Sequence, residues 1–235
     1  ARVLKEARSL TNQNLKVVIL SLKNQDESII EDSKKELPCL TVREISLWSR
    51  RFNWRLFITI KVVEMWLRFA IEALRSGSRV YHAHDPSVLL PSLVAAKFGN
   101  GKLLYDCHEL AIAMPGASSF KNRLVRLYER IFLYFVDRVI MSDGAFRANV
   151  FRNAHNYTGP IDYIYNFPMS VNLPTDRRDI RERLVIAQED LVVGYTGNIG
   201  PFRGLDIAIS SMTHWPENTH LVMIGGCSES YKHLL

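Results

Sequence analysis

Cysteine is scarce in this chain: three in 235 residues, at Cys39, Cys107 and Cys227, with no CxxC pair. That spacing excludes a disulfide framework and a zinc ribbon, and it fits a reducing compartment. Long apolar runs are missing too. None reaches the about 18 uncharged residues that would cross a bilayer, and no secretory signal pattern opens the chain. The expected location is therefore cytoplasmic. A G-x-S-x-G elbow, a Walker A loop and an HExxH pair are likewise absent, which removes the serine-hydrolase, P-loop and zincin readings.

What is present is an ordinary globular composition, 47% hydrophobic and 23% charged. It can bury a core in one large domain or two modest ones. The net charge of +6 favours an anionic partner: nucleic acid, an acidic membrane surface or a phosphorylated small molecule. The basic residues are spread along helical segments, without aromatics interleaved on a strand face, so nucleic acid is not expected.

Hydrophobic periodicity alternates between helix and strand along the whole chain. Helical spacing in ARVLKEARSL is followed by a continuous apolar run, Leu15–Leu22, expected to be a strand buried on both faces. Strands are expected at Leu40–Leu47, Ser78–His84, Lys102–Cys107, Asp137–Met141, Ile161–Tyr165, Leu191–Thr196 and His220–Ile224. Helices are expected at Trp54–Arg75, Ser87–Phe98, Phe120–Val136, from Ser142 as a cap to Asn153, at Arg177–Ala187 and at Leu205–Met212. In the Trp54–Arg75 helix, Lys61, Glu64, Arg68, Glu72 and Arg75 form one charged stripe, and the rest is expected to pack deeply on a sheet. The competing reading is an apolar–basic surface on an anionic membrane, helped by Arg50, Arg51 and Arg55. Such alternation implies parallel sheets covered by helices, an α/β fold. Asn166–Asp176, with two prolines and little periodicity, reads as a linker between a first domain, 1–168, and a second, 169–235. The chain opens and closes inside helical segments, which reads as part of a longer protein.

Ligands of open parallel sheets bind beyond the carboxyl ends of the strands. Those positions hold Asp85, then His108 and Glu109, Asn166, the turn Gly197-Asn198-Ile199-Gly200, and Gly225-Gly226. The segment LVVGYTGNIGPFRGLD (Leu191–Asp206) carries the most chemistry. A strand, a glycine-punctuated turn and a helix start leave backbone N–H groups facing outward, and Arg203 adds a fork of donors suited to phosphate. The spacing of Gly197, Gly200 and Gly204 is not the dinucleotide fingerprint, so a plain βα turn fits the loop equally well. His82 and His84 share one side of a strand, with Asp85 next. With no HExxH or CxxC partner in the sequence, they read as locally hydrogen-bonded histidines, and no metal site is expected.

In order, RVLKEARSL, YHAHDPSVLLPSLVAAKFG, KLLYDCHEL, YERIFLYFVDRVIMSD, YIYNFP, VVGYTGNIGPFRGLDIAIS and LVMIGG resemble the segments of a family-4 retaining glycosyltransferase of the GT-B fold. The resemblance implies two Rossmann-like parallel-sheet domains facing across a cleft, the second of them truncated. The first would hold the acceptor and the second a nucleotide sugar. It implies that Arg203 and Gly204 grip the donor diphosphate, with Gly197, Asn198, Gly200, Gly225 and Gly226 around it. His108 would reach toward the donor sugar as a catalytic residue beside Arg203, and Asn166 would lie at the interdomain crossing; with it, the strand-end residues Asp85 and Glu109 are expected on the acceptor side or in the cleft. Glu129 and Asp137 match positions that tie a helix to the next strand. Asn198 stands where the family often has a second basic residue, which removes one positive charge from the diphosphate site. The family's first strand and most of its donor domain have no match in this chain.

The implied activity is transfer of a sugar to a glycan or lipid-linked acceptor with retained configuration, in cell-envelope polysaccharide or lipopolysaccharide synthesis. The fragment alone would be inactive. No cofactor and no metal are expected, and an anionic inner membrane face is the expected support. The alternatives are a nucleotide-sugar epimerase on the same fold, for which Glu109 is the one carboxylate in place, and an inactive GT-B binding or scaffold module.

Overall fold

The computed structural model describes residues 2–23, 39–51, 58–107, 119–142, 144–167, 180–201, 203–227 and 231. The chain divides into two compact units, Ala1–Pro168 and Met169–Leu235.

The first unit opens with helix α1 (Arg2–Thr11), followed by parallel strands β1 (Val17–Leu22) and β2 (Leu40–Ile45). A four-stranded parallel sheet follows, in the order β3 (Val80–His84), β4 (Lys102–Cys107), β5 (Arg138–Met141), β6 (Ile161–Tyr163). Its crossovers are α2 (Ile58–Arg75) before β3, α3 (Leu89–Phe98), α4 (Ser119–Phe132) and α5 (Ala145–His155). Tyr81, Ala83, Leu103, Tyr105, Cys107, Val139 and Met141 alternate onto one sheet face and meet Leu89 and Leu93 of α3 and Phe151 of α5 in the core. His82, His84 and Asp106 fall on the opposite face.

Two polar anchors fix the crossovers. Asp137 Oδ2 accepts the Leu103 N–H at 2.8 Å while Oδ1 pairs with Lys102 at 2.8 Å, so the start of β5 is tied to the start of β4. Glu129 of α4 accepts the Tyr105 hydroxyl at 2.5 Å, and its other oxygen lies 3.5 Å from His155 Nε2 of α5. Helix, strand and next helix therefore meet at one buried carboxyl.

Three sequence expectations change. Every residue of β1 is half-buried rather than buried; among the described residues β1 pairs with β2 alone. Helix α5 starts at Ala145 after Gly144, without a side-chain cap, so Ser142 does not cap it. The helix runs on to His155 and ends on Asn156 in the left-handed conformation (φ 52°), the cap geometry asparagine tolerates.

Helix α2 differs most. Trp54 and Phe57 lie outside the described residues, and between Ile58 and Arg75 only Phe69 and Ala70 are buried. Ile58, Ile60, Val63, Leu67 and Ile71 are exposed, so the deep packing expected of this helix is not found among the described residues. Two acidic residues of its charged stripe, Glu64 and Glu72, face protein, while Arg68 and Arg75 stay exposed. Glu64 accepts the Trp48 and Ser49 N–H groups, each at 2.8 Å, at the start of the 3₁₀ turn Trp48–Arg51. Glu72 pairs with Arg43 of β2 at 3.2 Å. Burial works against ionisation of Glu64, but its bonds to Ser49, Trp48 and Arg68 outweigh it and hold the carboxyl at about 2. Glu64 thus caps a neighbouring turn from outside. Glu64→Ala is expected to cost about 0.5–2 kcal/mol, as loss of an N-cap does, read as a lower urea midpoint at unchanged m-value.

The second unit contains α6 (Ile180–Leu184), β7 (Leu191–Thr196), α7 (Leu205–Ser211) and β8 (Thr219–Ile224), with β7 and β8 paired in parallel. Leu191, Ile207 and Ile224 are exposed on it.

No helix among the described residues is long and apolar enough to cross a membrane.

Candidate functional site

In the second unit, the two strands end together and their following loops touch. The Gly197 N–H donates to the Ile224 carbonyl at 2.9 Å, and the Ile199 N–H donates to the Gly226 carbonyl at 2.8 Å. Ile199 thereby bridges to Cys227 beyond the strands. A Cβ built on Gly225 would fall 1.6 Å from the Gly197 carbonyl oxygen. The close approach of the two loops therefore requires glycine at 225, quite apart from any ligand. The Tyr195 hydroxyl donates to the Asn198 carbonyl at 2.9 Å and pins the turn.

Gly204 sits at the N-cap of α7 with φ 70°, and beyond its two chain neighbours no atom of the described residues lies within 4 Å of where its Cβ would be. Here the demand is for a left-handed backbone and not for space. Arg203, next to it, is exposed, and Leu205 behind it is buried, so the guanidinium projects from a fixed backbone. Helix α7 has only seven residues. Its dipole is correspondingly short, and the charge available to an anion here is that of Arg203. The structure thus brings Gly197, Asn198, Gly225 and Gly226 together at the strand ends. It places Gly200 in the same turn, with Arg203 and Gly204 at the helix start.

In the first unit, Asp85 follows β3 at φ 68°, a rare conformation for a residue with a side chain, and its N–H donates to the Asp106 carbonyl at 3.1 Å. It holds the start of the 3₁₀ turn Pro86–Val88. Asn166 is exposed after β6, and the neighbouring Phe167 carbonyl accepts from Lys5 Nζ of α1 at 3.1 Å. His108 and Glu109 lie outside the described residues. Cys107, the residue before them, is buried, and burial, with Glu129 nearby, pushes its thiol up to about 12. That thiol is inert at neutral pH.

A second polar group on the first unit was only half visible in the sequence. His82 and His84 stack with ring centroids 4.2 Å apart and planes at 29°. In the β3–β4 register His84 faces Asp106, so all three share one side of the sheet. Helix α1 adds Arg2 and Glu6. Arg2 Nε donates to Glu6 Oε1 at 2.7 Å and Nη2 to Asp106 Oδ1 at 3.1 Å. Glu6 Oε2 lies 3.9 Å from His82 and 3.7 Å from His84; Asp106 Oδ2 lies 3.7 Å and 3.4 Å from the same two rings. Nothing in the spacing marks Glu6 and Asp106 as joining the histidines, because neither lies at ligand spacing from them.

Comparison with known proteins places this geometry. The profile described as Glycosyltransferase Family 4 matches residues 1–167. A search of curated proteins gives no match. Among solved structures, HepE (Alr3699) of Anabaena in complex with UDP and glucose is similar over 98% of this chain and 58% of its own, at 15% identity and a TM-score of 0.65. Sucrose-phosphate synthase of Thermosynechococcus elongatus is similar over 97% of this chain and 56% of its own, at 18% identity and 0.69. The lipopolysaccharide outer core galactosyltransferase WaaB is similar over 90% and 50%, at 12% identity and 0.54. The chain spans between half and three-fifths of the length of these structures. Both of its units take part in the likeness, which is one of fold: parallel-sheet α/β units of the GT-B kind. With the sequence match covering the whole first unit up to Phe167, the chain belongs to glycosyltransferase family 4.

Proposed function

We propose that the whole protein transfers a sugar from a nucleotide-sugar donor to a glycan or lipid-linked acceptor, with retained configuration, in cell-envelope polysaccharide or lipopolysaccharide synthesis. The observation that carries the reading is the turn after β7, where Arg203 projects beside Gly204 from a backbone fixed by Leu205, facing away from the core. A diphosphate leaving group accumulates negative charge as the glycosidic bond breaks. Arg203 and the N–H groups of this turn meet that charge without a metal ion. HepE has been solved with UDP and with UDP-glucose, which supports a nucleoside diphosphate as a ligand of this chain's fold. His108, which follows β4 in the sequence, takes the role of the group next to the donor sugar, with Asp85, Glu109 and Asn166 on the acceptor side or in the cleft.

The exposed apolar residues of α2, with Arg50, Arg68 and Arg75 along them, support peripheral attachment to an anionic cytoplasmic membrane face. Cosedimentation with anionic vesicles, absent with neutral ones and lost at high salt, is the expected result.

A thermal-shift screen of the full-length protein against UDP-, GDP- and ADP-sugars tests the donor reading. A ligand at about 100 times its Kd adds roughly 2.7 kcal/mol of stability. The shift is expected with one nucleotide and is expected to vanish in Arg203→Ala. No shift with any nucleotide would replace the transferase by a binding module, the reading that Asn198 favours because it leaves the turn with a single cation.

A further inference from the structure

We propose that Glu6, His82, His84 and Asp106 form a binding site for a divalent transition-metal ion with the preferences of zinc. One donor atom from each of the four lies within 4.8 Å of the others. Two imidazoles and two carboxylates are a donor set that suits zinc and its neighbours in the first transition row, and the nitrogen share disfavours magnesium and calcium.

The spacing matches. In a tetrahedral site with bonds of about 2.0–2.1 Å, neighbouring ligand atoms stand about 3.3 Å apart. Each imidazole faces Glu6 Oε2 with one nitrogen and Asp106 Oδ2 with the other, at 3.4 to 3.9 Å, so whichever nitrogen serves as ligand stands near that spacing from one carboxylate, and with one nitrogen per ring the four ligand atoms lie within 4.8 Å of one another. Small rotations about the terminal imidazole and carboxylate torsions, which are soft, close the remaining gap.

The site is built from rigid parts. Two ligands stand on one strand, the third is fixed beside them by the β3–β4 register, and the fourth comes from α1. Asp106 is fully buried, and Glu6, His82 and His84 have side chains 14%, 24% and 21% exposed, which leaves a path for an ion on one side. Arg2 Nε takes Glu6 Oε1, the oxygen turned away from the imidazoles, while Nη2 spans both Asp106 oxygens, Oδ1 at 3.1 Å and Oδ2 at 3.0 Å, and so fixes the plane of that carboxylate. Ligating carboxylates are commonly oriented by such outer partners. Two carboxylates and two imidazoles converging beside one guanidinium make a donor set that a divalent cation suits. The ion would lock α1 onto the strand ends of β3 and β4. Such an ion would be structural, and the inference does not rest on the donor reading.

Cobalt(II) is the probe. The full chain, without a histidine tag and stripped by dialysis against a chelator, is titrated with cobalt and then with zinc. One equivalent of cobalt is expected to give the intense visible absorption of a four-coordinate ion, and zinc is expected to abolish it. His82→Gln and His84→Gln are each expected to remove the absorption, and to remove the rise in Tm that zinc gives the parent chain. Circular dichroism of the stripped variants shows whether they fold. Glu6→Gln, on the helix side, serves where a strand variant does not, and is expected to weaken cobalt binding at least tenfold (about 1.4 kcal/mol or more). Absorption no different from hydrated cobalt, or binding undiminished in the folded variants, would overturn the site.

Discussion

Replacing Arg203 by alanine in the full-length protein is expected to raise the barrier to sugar transfer by about 2–4 kcal/mol, a fall of roughly 30- to 1,000-fold in kcat/KM. The size follows from what surrounds the residue. Asn198 supplies no charge on the far side of the turn. Helix α7, at seven residues, offers only a short dipole. With no second cation in the turn, little compensates for the lost guanidinium. Because the diphosphate gains charge as it departs, the loss is expected in kcat as well as in KM. Arg203→Lys keeps a point charge but not the fork, and should fall between the two. Release of nucleoside diphosphate, followed with saturating acceptor, measures all three proteins. Turnover near that of the parent enzyme in Arg203→Ala would remove the residue from the transition state.

Much of the fold was legible because it is written locally. Strand β7 occupies the six residues of the apolar run Leu191–Thr196, and β4 the six of Lys102–Cys107. The glycines at 197 and 225 marked a real close approach of backbone, since a side chain at 225 has no room. What failed depended on neighbours. The charged stripe of α2 looked like a solvent face, yet Glu64 and Glu72 are held by the turn and strand beside it. Periodicity tells which residues share a face and not what that face meets. The Glu6–His82–His84–Asp106 group was illegible for the same reason: its members come from a helix and two strands, and only the sheet register brings Asp106 to His84.

Glu129 and His155 make the second large effect, one seen only by comparing variants. Burial, opposed by the Tyr105 hydrogen bond, raises Glu129 from its ordinary 4.5 to about 7. Burial, with Arg126 nearby, lowers His155 from 6.5 to about 4. Between pH 4.5 and 7 the folded chain holds a proton on Glu129 that the unfolded chain has lost, so this residue's contribution to stability falls as pH rises. Between pH 4 and 6.5 the unfolded chain holds a proton on His155 that the folded chain lacks, so that contribution rises with pH. Each amounts to about 3 kcal/mol by the linkage relation, and in the parent chain they nearly cancel. Glu129→Gln keeps an acceptor for the Tyr105 hydroxyl and leaves only the contribution of His155. Its stability relative to the parent is therefore expected to climb by about 3 kcal/mol between pH 4.5 and 7. His155→Gln is expected to fall relative to the parent over pH 4 to 6.5 by a similar amount. Urea midpoints of the three proteins at half-unit steps from pH 4 to 7.5 separate these outcomes, since every other carboxylate contributes equally to all three. Parallel curves would mean that Glu129 is ionised in the fold at neutral pH, and the bond from Tyr105 would then be holding a buried charge.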